Sequence, residues 1–600
     1  MIPRYTLDNN KEFILKMILL TFLFLLAKEG SLLHKNGLDS FMLCDTDTYM
    51  RLVRVQQLHD TGMWFDNIIY RSNAPYGEVL HWSRFLDLLL LMGAGVGSVF
   101  LSFKEALFWW GYFISPILMG CSVIALSWSA RPLFDQYTRI IMICFFFSQP
   151  GIVAYYSFGR PDHHSLLLFL FILLIGATIR MLRCAEKNTF YPYVTGILAA
   201  TGIWVSVEAL APVVLVTGTL IILWVKNPLQ YLLSAQRFIL TLTVCSCFFL
   251  LLERPFGQWS TVEYDKISIV HVISFFVMWG MLKFVMPYGE GKRWSRILLL
   301  VFLPIVALTG LSTLFPYLVR GPYAAVDPEI VSIWLSKVSE AQPLSFVDRD
   351  TIARTITLVG NIVFVLPYSL LPLFGRRKIT AEWVFLNSGI FLFIGMTAYQ
   401  VRFSPYAELL MLFPMAFVFK FCSGKLQQTQ QRLLLRMLRI TLIVAMALGN
   451  HLVAWAVMSP STVNSPAPPI RELTQFLDTY TPASTILIDM DLGPRLLYET
   501  KHRVIATPYH RNNSGILYWY HVMAAETDQD AYNLLNERSV DLVVISLEGT
   551  ERVLLADLPD KNTFYYRLIN GKYPHWLRPV SLTENLRNSF KVFEVISGVE

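Results

Sequence analysis

The sequence predicts a polytopic α-helical membrane protein of about thirteen spans, carrying a C-terminal extracytoplasmic α/β domain. Three observations predict it. The 600 residues are 54% hydrophobic and 14% aromatic, with a mean hydropathy of +0.48, too apolar for a soluble multidomain chain. Apolar stretches of roughly 20 residues recur up to position 459, each long enough to cross a bilayer. Beyond that point, short strand-like runs alternate with polar helical ones.

The run 13–33 follows Arg4, Lys11 and Lys16, is too long for a signal-peptide core and has no small-residue cleavage site, so it reads as a retained anchor helix. The charged stretch 35–84 becomes an external loop. Residues 85–101 are apolar but short, an interfacial or re-entrant helix, and they extend the external region to about 105. Spans follow near 106–130, 138–156, 164–182, 190–207, 209–226, 236–253, 268–288, 295–316, 354–374, 382–400, 404–422 and 437–459. With the N-terminus inside, alternate loops carry Arg131/Arg139, Arg180/Arg183/Lys187, Lys226/Arg237, Lys292/Arg293/Arg296, Arg376/Arg377/Lys378 and Lys425/Arg432/Arg436, a consistent positive-inside pattern. A second large external loop covers 317–353.

The chain therefore divides into a transmembrane domain, 1–459, and a tail domain, 460–600. The tail opens on the Pro- and Ser-containing linker 459–469. Strand-like Thr485-Ile486-Leu487-Ile488, Arg503-Val504-Ile505-Ala506 and Leu542-Val543-Val544-Ile545 alternate there with helix-like 529–537. Seven cysteines are scattered, several inside apolar runs, without metal-ligand spacing, and predict no disulfide framework. The net charge of +7 is spread among loops and forms no basic domain, which argues against a nucleic-acid partner. No internal repeat points to inverted transporter halves.

Acids are scarce in this chain and concentrate on the external side. Asp45 and Asp47 lie in Cys44-Asp45-Thr46-Asp47-Thr48-Tyr49-Met50-Arg51, Asp162 in a short external turn, and Glu340 in the second large loop. Carboxylates at the mouth of a membrane domain carry a desolvation cost and mark ion or substrate sites. An Asp-x-Asp pair alone is weak evidence, but acids from three loops at one surface suit a hard divalent cation, Mg²⁺ or Mn²⁺. His163 and His164 follow Asp162; His164 is the better ligand candidate, and imidazole broadens the preference towards Mn²⁺ or Zn²⁺. Arg402 is a cation at an external boundary, able to hold a lipid phosphate or simply to snorkel. Glu208, at another external turn, reads as an interfacial acid or a supporting group.

Asp47-Thr48-Tyr49-Met50-Arg51, with Asp60-Thr61-Gly62 and the Pro75-Tyr76-Gly77 turn, resembles the first external loop of the catalytic subunits of oligosaccharyltransferase, membrane glycosyltransferases of the GT-C class. Tyr156-Ser157 through Asp162-His163-His164 is similar to their second acidic loop. Lys337-Val338-Ser339-Glu340-Ala341-Gln342-Pro343 is similar to the Ser-Val-Ser-Glu-x-Gln-Pro motif of the eukaryotic members. The resemblance implies that Asp47 and Asp162 bind a divalent metal and that Glu340 contacts metal and acceptor; where the family carries a second carboxylate after the second-loop Asp, this chain has His164, which bears on which metal is bound. It implies that Arg402, with Tyr406 beyond it, sits at the phosphate of the donor. Asp45, Arg51, His163 and Glu208 are supporting candidates.

The tail departs from the resemblance. Asp489-Met490-Asp491-Leu492-Gly493-Pro494 stands where the family carries a Trp-Trp-Asp motif, and the paired tryptophans are absent. Asp491, with Tyr509, His510 and Arg511 in Pro508-Tyr509-His510-Arg511-Asn512-Asn513-Ser514, becomes the candidate acceptor-binding set. The expectation is a glycosyltransferase moving a sugar or oligosaccharide from a polyprenyl-phosphate or -diphosphate donor to an extracytoplasmic protein or glycan acceptor, with inversion. Two alternatives stand beside it: a monosaccharide transferase acting on lipid A or polysaccharide, and a transporter or flippase of lipid-linked sugars. The expected location is a bacterial inner membrane, with the N-terminus cytoplasmic and the tail periplasmic.

Overall fold

The computed structural model describes residues 16–17, 19–25, 27, 41–183, 190–285, 287, 291–323, 326–374, 379–426, 432–459, 468–556, 558 and 562–596. Most of the expected anchor helix 13–33 and of the linker 459–469 lies outside the described residues, as do Lys187, Arg376, Arg377 and Lys378.

Among the described residues, eight helices are long and apolar enough to cross a membrane: Phe103–Ala130, His163–Arg183, Val207–Lys226, Gln230–Glu253, Arg293–Leu314, Ala381–Tyr399, Val401–Gly424 and Arg436–Val457. Arg349–Val359 and Ile362–Tyr368 pass the same test together but are bent by 48° at their break. The remaining expected spans fall on the shorter apolar helices Gln136–Phe147, Phe190–Val205 and Ile269–Phe284. Burial differs sharply among them. His163–Arg183 is enclosed by its neighbours, whereas Arg293–Leu314 is exposed along nearly its whole length, as a lipid-facing helix would be. Helix Arg84–Gly97 is the short apolar element expected at 85–101, and Val96, Val99 and Phe100 at its end are exposed.

Local chemistry fixes where the site-bearing elements begin. Asp45 caps helix Thr46–Thr61, accepting from the Thr48 amide at 3.1 Å, and Gly62, at φ 66°, closes its far end in the left-handed conformation. Asp47 falls in the first turn, where the helix dipole favours a carboxylate. A buried charge cluster holds this helix against the next: Asp87 accepts from Arg51 at 3.0 Å, Arg54 at 2.5 Å and Arg84 at 3.2 Å. Burial alone would raise the Asp87 pKa, but the three guanidiniums bring it below the usual carboxylate range.

Residues beyond 468 hold a five-stranded sheet. Its strands are β3 (Thr485–Leu487), β4 (Arg503–Val504), β5 (Leu542–Ser546), β6 (Leu577–Pro579) and β7 (Phe590–Val595), in the order β4-β3-β5-β7-β6. β3 runs parallel to β4 and β5, with Ile486 opposite Leu542; β7 is antiparallel to β5 and β6, with Val543 opposite Phe593. The all-buried β5 is the continuous apolar run a central, two-sided strand requires.

The stretch 62–83 docks onto this sheet through a small hairpin, β1 (Ile68–Ile69) and β2 (Glu78–Val79). The Val504 amide donates to the Arg71 carbonyl at 2.9 Å, and the Ala74 amide donates to the Val504 carbonyl at 3.0 Å. Arg71 donates to the carbonyls of Thr500 and His502 at 2.9 and 3.0 Å. Tail and membrane portion thus meet over the external loops.

Candidate active site

A cavity of about 1020 Å³ opens where the loops between the apolar helices meet the tail. Of the expected site residues, Asp45, Asp47, His163, His164, Glu208, Glu340, Arg402, Asp491, Tyr509 and His510 line it. They come from seven separate stretches of chain.

Asp162, buried behind the wall, organises its first side. Its carboxylate meets His163 Nδ1 at 2.6 Å and His164 Nε2 at 3.7 Å, and one ligand atom from each of these three residues lies within 4.8 Å of the others. Burial would raise the Asp162 pKa, but His163, His164 and Arg160 hold it well below the usual value. Asp47 behaves oppositely: desolvation first, then the charges of Asp162 and Asp45, push its carboxyl up. Asp45, besides capping its helix, pairs with Arg160 at 3.4 Å and is likewise pushed up, mainly by burial.

Arg160 also reaches Glu340 at 3.5 Å and stacks over Tyr155. The Glu340 strap is stitched to the break before span Val401–Gly424: the Arg402 amide donates to the Glu340 carbonyl at 3.1 Å, and the Val401 amide to the Gln342 carbonyl at 2.9 Å. The motif around Glu340 is therefore placed by backbone bonds to the turn that carries Arg402.

Arg402 pairs with Glu208 at 3.2 Å, approaches Glu340 at 3.9 Å and donates to the Tyr323 hydroxyl at 3.0 Å. Its buried Nε has no hydrogen-bond partner among the described residues. Glu208 is more than an interfacial acid: it bridges Arg402 to His164, whose Nδ1 lies 3.7 Å from its Oε2, beyond hydrogen-bond distance, and Oε2 has no hydrogen bond among the described residues.

The structure places three expected site residues elsewhere. Tyr406, expected at the donor phosphate, is buried among Phe171 and Phe393, with ring centroids 5.2 Å from each, because its position in the span faces neighbouring helices. Arg51 is committed to Asp87 and lies over Trp82, 4.1 Å from the ring centre. Arg511 faces Asp265 and Glu263. On the tail side, Asp491 accepts from the Thr550 hydroxyl at 2.5 Å, and its carbonyl from Thr46 at 3.4 Å.

Sequence reasoning missed the cavity residues His81, Asp265 and Tyr323. Buried His81 has an unpartnered Nδ1, and desolvation, then His510, keep its pKa well below the ordinary histidine value. Asp265 binds His510 Nε2 at 2.7 Å. An acid in an external loop, Tyr264-Asp265-Lys266, was the only available hint.

Donor chemistry fits a divalent cation. Asp162, His163 and His164 bring one ligand atom each within 4.8 Å of one another; Asp47, whose carboxyl feels the Asp162 charge, carries like-charge repulsion that a cation would relieve; and Glu208 Oε2 lies 3.7 Å from His164.

No family model matches the chain. Over 142 residues it is 26% identical to the dolichyl-phosphooligosaccharide-protein glycotransferase 1 of Archaeoglobus fulgidus, a stretch covering 24% of this chain and 22% of that relative. Similarity of structure extends much further. The oligosaccharyltransferase AglB of the same organism, solved with an inhibitory peptide and a dolichol-phosphate, superposes with a TM-score of 0.71 over 95% of this chain and 79% of its own, at 14% identity. The fold is that of an oligosaccharyltransferase. A second structure of the A. fulgidus oligosaccharyltransferase, in complex with Zn and sulfate, matches with a TM-score of 0.61 at 15% identity, covering 89% of this chain and 68% of that one. Eight helices long and apolar enough to cross, among the described residues, make this a multi-pass membrane protein with loops and tail gathered over one cavity.

Proposed function

We propose that this chain is a membrane glycosyltransferase. It moves a sugar or oligosaccharide from a polyprenyl-phosphate- or -diphosphate-linked donor to an extracytoplasmic acceptor. The observation that carries the reading is the convergence of Asp47, the Asp162–His164 cluster, Glu340 and Arg402, from four separated stretches, around one large cavity. In the solved relative, a dolichol-phosphate and a peptide are bound to the same fold.

In this reading the cavity side of the Arg402 guanidinium takes the lipid phosphate through charge-assisted hydrogen bonds. Asp47, Asp162 and His164 hold a divalent cation, Mg²⁺ or Mn²⁺, with Zn²⁺ also compatible; when bound it supplies positive charge that offsets the leaving phosphate. Glu340 and Asp47 orient the acceptor. The acceptor atom bonds to the anomeric carbon as the carbon–oxygen bond to phosphate breaks, the electron pair leaving with the lipid phosphate and the sugar inverting. About thirteen spans, an inside N-terminus and an extracytoplasmic tail domain, 460–600, in a bacterial inner membrane complete the proposal.

Asp47→Ala and Glu340→Ala test it in purified, reconstituted protein. Both are expected to abolish transfer while elution and thermal unfolding stay those of the parent. Full transfer by either well-folded variant removes that residue from the reaction.

A further inference from the structure

The tail loop 508–512 enters the cavity wall with a pair that the transferase reading leaves unused. His510 is buried and lines the cavity; its Nε2 lies 2.7 Å from Asp265 Oδ2. Asp265 comes from the loop between Pro228–Glu253 and Ile269–Phe284, 245 positions away in sequence. Arg511 fixes that carboxylate from the other side, Nε at 2.7 Å and Nη2 at 2.5 Å, and reaches Glu263 at 3.3 Å. Tyr323 packs edge-on to the His510 ring with centroids 5.3 Å apart, and His81 lies 4.4 Å away. The ring is held on every side.

With Nε2 donating to the Asp265 carboxylate, the neutral ring carries its lone pair on Nδ1, and no hydrogen bond to Nδ1 is found among the described residues. A histidine oriented by a buried acid, with its second nitrogen unclaimed at a substrate cavity, is the arrangement of a general base. The groups facing it are Asp265, Arg511, Tyr323 and neutral His81. Tyr323 stands between His510 and Arg402, its hydroxyl 3.0 Å from the guanidinium, so base and phosphate-binding cation flank one phenol ring in one cavity.

A base matters for one acceptor chemistry. An alcohol must lose its proton as it attacks, whereas an alkoxide is too unstable to form beforehand. The same cavity offers Tyr264 and Trp334 as flat apolar faces beside carboxylates, a lining suited to a pyranose ring. We propose that the acceptor is a sugar hydroxyl and that His510, positioned by Asp265, is the general base that takes its proton. The hydroxyl oxygen bonds to the anomeric carbon, its hydrogen passes to His510 Nδ1, and the donor carbon–oxygen bond breaks with its electron pair going to the lipid phosphate. The proposal rests on the transferase reading.

The test uses full-length protein, parent and variants, added to membranes from cells lacking it, with transfer followed by mass spectrometry and product linkage by methylation analysis across pH 5.5–8.5. His510→Gln, whose amide can still donate to Asp265, is expected to slow transfer roughly 100-fold or more and to remove the acid limb of the pH profile. His510→Ala is expected to regain activity with added imidazole, which a purely structural role would not allow. Asp265→Asn is expected to displace the acid limb. The product is expected to be a sugar–oxygen–sugar linkage. Parent-like rate and profile in His510→Gln, or failure of imidazole to restore a folded His510→Ala, overturns the base; a sugar joined to a protein side chain overturns the acceptor class. Asp47→Ala separates the two levels: if it is inactive while His510→Gln is fully active, only this inference falls, and if it is fully active, the transferase reading falls as well.

Discussion

Glu78 is a buried carboxyl whose ionisation the fold resists, and replacing it with glutamine exposes the cost of ionising it. Its side chain is 2% exposed, between the first external loop and the tail. Oε2 accepts from the Ser72 hydroxyl at 2.6 Å and the Thr507 hydroxyl at 2.5 Å, while Oε1 has no hydrogen-bond partner. Desolvation outweighs those two donors and pushes its pKa from 4.5 up to about 7. The acid is thus harder to ionise folded than unfolded. Between the two values the folded state binds the extra proton, so stability falls as pH rises from 4.5 and levels off above about 7. A displacement of that size corresponds to about 3 kcal/mol at most. In Glu78→Gln the amide oxygen accepts both hydroxyls and the amide nitrogen takes the unpartnered place, so the penalty disappears. Thermal unfolding in detergent is expected to show the variant more stable than the parent at pH 8.5, by up to about 3 kcal/mol, and equal to it at pH 5. A variant destabilised equally at both pH values would mean that the carboxylate is ionised and needed, which refutes the reasoning.

Asp87→Asn leaves three buried guanidiniums with a neutral partner and is expected to cost about 3–5 kcal/mol, read as a lowered unfolding temperature. Arg402→Lys replaces a planar fork by a point charge and loses a charged hydrogen bond of about 1.5–3 kcal/mol, so apparent donor affinity is expected to fall roughly 10- to 100-fold in a transfer assay with graded donor. Chelation of divalent ions is expected to stop transfer, with Mn²⁺ or Mg²⁺ restoring it in the parent but not in Asp162→Ala; transfer undiminished in chelator would remove the cation from the site.

Much of the fold was legible because bilayer thickness imposes a length on apolar segments: helices such as Phe103–Ala130 and His163–Arg183 lie where hydropathy put them. The bend near Gly360 and the shorter helix Ile269–Phe284 were not, because they depend on what packs beside them. Asp47, Asp162 and Glu340 stood out as acids in a chain that largely excludes charge. Glu208 was legible only as an interfacial acid or a supporting group, since its partner Arg402 lies 194 positions away. The pairing of His510 with Asp265 is equally invisible to local pattern. Tyr406 misled for the converse reason: proximity to Arg402 in sequence says nothing about which face of the span it occupies, and the structure turns it into the helix packing. The Asp45 reading was incomplete, because the same side chain serves as a helix cap and as a partner of Arg160.

The central claim is that the cavity transfers a sugar from a lipid carrier. Mass spectrometry of lipid extracts and surface glycans from cells carrying the parent chain, Asp47→Ala or neither tests it most directly. The account predicts that Asp47→Ala and the deletion accumulate the same lipid-linked sugar and lose the same glycan, while the parent shows neither change. An Asp47→Ala profile identical to the parent's, with the variant present at equal level in the membrane, would contradict it.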